Sequence, residues 1–253
     1  MTRHAKLGTY ASNLFSPPLW TDDYPAGRKW ADELEKLLAF ADSQGQIEKY
    51  LPRLHTNRNN QRDEALNELR VAFYLHRSGF PITTWEPAGN HGRVGEYTIL
   101  SPESVYIFTE VKSRGWESEL TQAERLAGRT QLPKYIDGDG GAYANWKGVR
   151  DCIAAAYDKF TDHEPNLLVI ADDFFVSLIH SELQIRIALY INEAAYGEEV
   201  GYFTNSQYQN IGGVALFSTN TAGDAVAYDF RVFDNGSALN STTLPPSLLR
   251  LCD

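Results

Sequence analysis

Glu110 and Lys112 stand two residues apart near the end of the apolar segment Val105–Arg114, VYIFTEVKSR. A β-strand turns successive side chains to opposite faces, so residues i and i+2 share one. A strand here would therefore present a carboxylate and an ammonium side by side at its end. That pairing suits metal-dependent hydrolysis of a phosphodiester, with Glu110 on a hard cation and Lys112 beside the attacking water. The alternative is a surface ion pair worth under about 1 kcal/mol. Eight lysines and 33 acidic residues would produce an acid two places before some lysine about once by chance. Glu110/Lys112 is the only such pair, so its neighbourhood must decide between the two.

The elements that would position the pair can be read upstream. In Asp63–Phe80, DEALNELRVAFYLHRSGF, the apolar residues Leu66, Leu69, Val71, Ala72, Phe73 and Leu75 recur at helical spacing, and Gly79 follows where a helix would stop. The polar face of that helix carries Glu68, which by itself is an ordinary solvated residue. Next come a short strand, a Gly-rich loop (GNHGRVG), and a second strand opening near Glu96. Ser101-Pro102-Glu103 then gives a turn into the strand that ends in Glu110-Val111-Lys112.

This order, with Glu68 eleven residues before Gly79, an acid opening a strand at Glu96, and Glu110-Val111-Lys112-Ser113-Arg114, resembles the PD-(D/E)xK nuclease superfamily of restriction-endonuclease-like fold. Locally it is most similar to archaeal-type Holliday-junction resolvases. The resemblance covers roughly residues 60–115. It departs at one place, where the family's Pro-Asp is Gly95-Glu96, and no aspartate occurs between Asp63 and Asp137. The resemblance implies an α/β fold with a mixed sheet flanked by helices. It further implies Glu96 and Glu110 as metal ligands with the Val111 backbone carbonyl as a third. Glu68 would hold metal-bound water or a second cation, and Lys112 would orient or deprotonate the attacking water. Mg2+ is the expected cofactor, with Mn2+ as an alternative, because hard cations take oxygen ligands. DNA is the expected substrate, with RNA left open, and a homodimer follows by analogy with nucleases that cut both strands.

A net charge of −10 looks unsuited to a nucleic-acid partner until it is divided along the chain. Residues 1–160 hold 20 Lys/Arg against 21 Asp/Glu, whereas residues 161–253 hold 3 against 12. The acidity thus belongs to the C-terminal third, and phosphate binding needs only local positive potential. Arg53, Arg93 and Arg114 are among the cations that could line a groove, and scattered solvated charges are the plain alternative. His91, in the Gly-rich loop, either touches substrate or is an ordinary surface histidine. Lys159, near the end of a helix over Asn145–Phe160, either faces the site or is a solvated lysine favoured by the helix dipole.

Elsewhere, residues 26–54 read as one or two amphipathic helices broken near Ser43–Gly45, so that residues 1–55 form a helical layer packed on a nuclease-like domain spanning 56–253. Glu117–Gly128 could be a short helix, and Asp137–Gly141, DGDGG, is a loop without the further ligands of a calcium site. Asn166–Ala171, NLLVIA, is a strand buried on both faces. Ser177–Ala195 reads as a helix, Ile211–Phe217 and Ala225–Phe233 as strands joined by the turn TNTAGD, and the last residues as a tail packed on the domain. Two cysteines, no apolar run of membrane-spanning length and no signal-peptide pattern fit a reducing cytoplasm. No GxSxG, P-loop or HExxH motif occurs, and the six histidines show no zinc spacing. Two functions remain: a Mg2+-dependent endonuclease in a prokaryotic or phage setting of defence, repair or recombination, and a non-catalytic nucleic-acid- or partner-binding module on the same fold.

Overall fold

The computed structural model describes residues 25–55, 59–113, 145–172, 185–186, 188–190, 201–204, 206–222 and 225–251. Helix α1 (Pro25–Ser43) stops where Gly45 takes a left-handed φ of 68°, and α2 (Ile47–His55) follows at once. Helix α3 (Asn59–Arg77) begins four residues before the sequence pattern suggested. It ends as expected at Gly79, φ 90°, where the Phe80 N–H donates back to the Leu75 carbonyl.

Six strands form one mixed sheet in chain order: β1 (Ile82–Trp85), β2 (Tyr97–Leu100), β3 (Tyr106–Ser113), β4 (Asn166–Asp172), β5 (Gly213–Ala222) and β6 (Ala225–Asp234). β1, β2 and β3 pair antiparallel, β3, β4 and β5 pair parallel, and β6 returns antiparallel. β4 lies in the interior of the sheet and, like its neighbour β5, is apolar on both faces. Leu167 and Val169 join the core beneath α1–α3, while Leu168 and Ile170 join the core beneath α4 (Asn145–Tyr157). The expected turn TNTAGD is largely strand. Thr219 and Thr221 continue the ladder opposite Tyr228 and Val226, since β-branched threonine suits a pleated surface as well as a turn.

The C-terminal tail does pack on the domain. Leu244 and, in the short helix α5 (Pro246–Leu249), Leu248 are buried, and Glu103 accepts hydrogen bonds from the backbone and hydroxyl of Ser247. Glu117–Gly128, Asp137–Gly141 and Arg114 lie outside the described residues, as does most of Ser177–Ala195. No helix among the described residues is long and apolar enough to cross a membrane.

The N-terminal helices are built into the core. Arg70 of α3 grips Glu33 of α1 with two hydrogen bonds of 2.9 and 2.8 Å, and the Tyr228 hydroxyl of β6 donates to the same carboxylate. Both charged partners are buried, a cost that only such complete pairing offsets. Asn67, one turn earlier on α3, donates to Ser113 Oγ at 3.1 Å and so ties α3 to the end of β3.

Candidate active site

The site forms where β2 begins and β3 ends, between the α1–α3 layer and α4. β3 turns Phe108, Glu110 and Lys112 to the face that α4 covers, as the two-residue period requires. Across the ladder Tyr97 pairs with Thr109, and the Glu96 N–H donates to the Thr109 carbonyl at 3.2 Å. One step further along this antiparallel pair, Glu96 comes opposite Glu110. Strand carbonyls also alternate in direction, so the Val111 carbonyl faces the same edge as Thr109's, beyond the point where β2 begins.

Glu110 is fully buried. Its Oε1 accepts from Lys112 Nζ at 2.6 Å and from Lys159 Nζ at 2.5 Å. Its Oε2 is buried with no hydrogen-bond partner among the described residues. The surface-ion-pair alternative is thereby excluded, and so is the solvated Lys159. A turn after α4, where the Lys159 N–H bonds to the Ala156 carbonyl, aims that side chain inward. For Lys112 burial disfavours the ammonium, but the adjoining Glu110 carboxylate outweighs it and holds the pKa above the usual value.

Glu96 is pushed up to about 7, first by burial and then by the Glu68 and Glu110 carboxylates, with Lys49 and Lys159 opposing. Three acids therefore crowd one place. Lys49 Nζ lies 3.9 Å from Glu96 and closer, at 2.9 Å, to Glu86. Arg53 holds both oxygens of Glu68, at 2.5 and 2.7 Å, an ion pair that leaves each oxygen a second lone pair. Among the described residues no three His, Cys, Asp or Glu side chains are arranged to hold a metal.

Lys49 and Arg53 both come from α2, four residues apart and hence on one helical face. Sequence reasoning included Arg53 only among general groove cations and overlooked Lys49. Their i,i+4 spacing was the available signal, but nothing local reveals that α2 lies against the start of β2.

The Gly-rich loop is a packing device. Gly89 N–H bonds to the Arg93 carbonyl, Asn90 N–H to the Lys159 carbonyl, and Gly95 N–H to the Pro87 carbonyl. A Cβ on Gly95 would lie 2.3 Å from the buried Phe108 ring, which also packs edge-on against Phe160. Gly95→Ala should accordingly destabilise the fold by about 1–3 kcal/mol and displace Glu96, measurable as a lower midpoint of denaturant unfolding. An unchanged midpoint would show that the ring can yield. His91 is exposed in a turn at φ 54°, and Arg93 pairs at 3.2 Å with Asp158 at the half-exposed rim. Both stand beside the site rather than in it.

Comparison with known proteins finds no matching family model, no matching curated protein and no matching solved structure. What the site can do must be argued from its own chemistry.

Proposed function

We propose that the protein is a divalent-cation-dependent endonuclease of restriction-endonuclease-like fold, acting on DNA. One observation carries the reading: a fully buried glutamate with two lysines on one oxygen and, among the described residues, no partner on the other, facing a second carboxylate that its neighbours disfavour as an anion. A buried carboxylate oxygen without a partner is costly, and two crowded carboxylates repel; a hard cation between them would relieve both. The order of α3, an antiparallel β1–β2–β3 and a parallel β4 beyond α4 agrees with the resemblance seen in the sequence.

The donor set fits Mg2+ or Mn2+ with Glu96, Glu110 and the Val111 carbonyl as protein ligands and water completing the shell. Bound there, the cation would polarise a phosphoryl oxygen and lower the pKa of water. Lys112 would hold the attacking water by hydrogen bonding and offset the charge that builds on the phosphoryl oxygens. Lys159 fixes Glu110 by bonding to one of its oxygens, and Glu68, paired with Arg53, keeps lone pairs with which it would hold a metal-bound water. Glutamate at 96 reaches one methylene further than aspartate would.

The second reading, a binding module without catalysis, is favoured by the four cations Lys49, Arg53, Lys112 and Lys159 that already accompany Glu68, Glu86, Glu96 and Glu110. The deciding experiment incubates the protein with supercoiled plasmid, branched DNA, single-stranded DNA and RNA in Mg2+, Mn2+ or chelator. Cleavage that depends on the cation supports the nuclease; intact substrates in every condition leave the binding module.

A further inference from the structure

A cavity of about 410 Å3 opens between the end of α4, the segment leading into β4 and the segment leading into β5. It borders the core beneath α4, to which Phe160 belongs, and the site described above does not use it. Its walls combine the partly buried Tyr157 ring with four carboxamides, Asn90, Gln207, Gln209 and Asn210, while Phe160 beneath them is fully buried. Among the described residues no lysine or arginine lines it, and its one carboxylate, Asp162, stands 3.6 Å from His163 Nδ1 at the exposed mouth. The volume lies in the range of small-ligand clefts, about 300–1,000 Å3. Aromatic faces stack planar groups, while carboxamides offer both donors and acceptors to their edges. The chemistry thus matches a flat, neutral group rich in hydrogen-bonding sites.

Its position says what that group would be attached to. Lys159 lies between the lining residues Tyr157 and Phe160, and its side chain reaches Glu110. Asn90 joins the two places directly, since its backbone N–H bonds to the Lys159 carbonyl. Arg93, in the same loop, stands at the rim in an ion pair with Asp158 that a phosphate would have to share.

We propose that the cavity receives an unstacked nucleobase of a single-stranded stretch of the substrate, next to the phosphodiester presented at Glu110 and Lys112. This rests on the nuclease reading and narrows its substrate to nucleic acid with unpaired bases, because a base within a duplex keeps its face stacked and its edge paired. Stacking and edge contacts in the cavity replace those interactions; backbone phosphates stay outside on the cations.

The test measures binding in chelator, so that no cleavage intervenes, by fluorescence anisotropy of one labelled 12-nucleotide strand, alone and as a duplex. Wild-type protein should prefer the single strand. Ser206→Trp, which fills the cavity from an exposed turn, and Gln209→Leu, which removes an amide, should each weaken single-strand binding about tenfold and leave duplex binding unchanged. Two variants guard against one that fails to fold, as judged by circular dichroism. Equal affinity of variants and wild type for the strand overturns the proposal. So do equal losses for strand and duplex, absence of strand binding by wild type, or binding of maltohexaose in place of the strand. Cleavage in Mg2+ is followed separately. Binding through the cavity without cleavage would refute the catalytic reading alone, and cleavage with unaltered strand binding in the variants would refute the cavity alone.

Discussion

Lys112→Ala should lower the proposed cation-dependent cleavage by on the order of 10²–10⁴-fold while the protein stays folded. The loss would be large because the group proposed to hold water and offset charge at the strand end is removed. The fold survives because Lys159 remains 2.5 Å from the same Glu110 oxygen, so the buried carboxylate keeps a cationic partner. The double variant Lys112→Ala/Lys159→Ala strips both and leaves a buried charge alone, which costs about 3–5 kcal/mol. Plasmid cleavage rates and thermal melts of the three proteins check this directly. Wild-type cleavage by Lys112→Ala would end its catalytic assignment, and a double variant no less stable than the singles would mean that Glu110 finds another partner.

Glu96→Gln is expected to abolish cleavage and yet stabilise the protein in chelator at pH 8. The sign follows from the raised pKa. In the folded state Glu96 titrates at about 7 against an ordinary value of 4.5. Between those values the native protein holds a proton that the unfolded chain has released. Stability contributed by this group is therefore full below about 4.5, falls as pH rises to about 7, and stays at the lower level above it, by up to roughly 3 kcal/mol. The amide carries no charge to repel Glu68 and Glu110, so the variant lacks that fall. Glu64 and Asp234 are also raised, chiefly by burial, but they titrate in both proteins and cancel in the difference. Adding Mg2+ or Mn2+ should stabilise wild type increasingly with pH and leave Glu96→Gln unmoved, whereas Glu96→Asp should keep measurable cleavage and cation binding. Melts from pH 4.5 to 8.5 with and without cation, and calorimetry of cation binding, provide the check. Identical pH profiles for wild type and Glu96→Gln would show that the carboxylates do not crowd; equal cation affinity would remove Glu96 from the ligand set.

A gain in stability bought by losing a charge is the pattern expected where a site is held against its own folding preference. The left-handed backbone at Glu86 and His91, in the loop beside Glu96, is of the same kind.

The sequence alone determined whatever depends on short-range periodicity. The helical spacing in Asp63–Phe80, the two-sided apolar run of β4, the break at Gly45 and the shared face of Glu110 and Lys112 are local patterns, fixed by 3.6- and 2-residue periods that any chain of this composition must obey. The boundary of β5 was misread for an equally local reason, since threonine and asparagine serve turns as well as strands and only the partner β6 selects between them. Tertiary structure alone decided which charges meet. Arg53 is fifteen residues from Glu68, and Lys159 is forty-nine from Glu110. Those pairings depend on how α2 and α4 close over opposite faces of one sheet. Burial then raises Glu96, with the Glu68 and Glu110 carboxylates adding to it and Lys49 and Lys159 opposing, and leaves one oxygen of Glu110 without a partner among the described residues, because a charge costs little in water and a great deal where water is excluded.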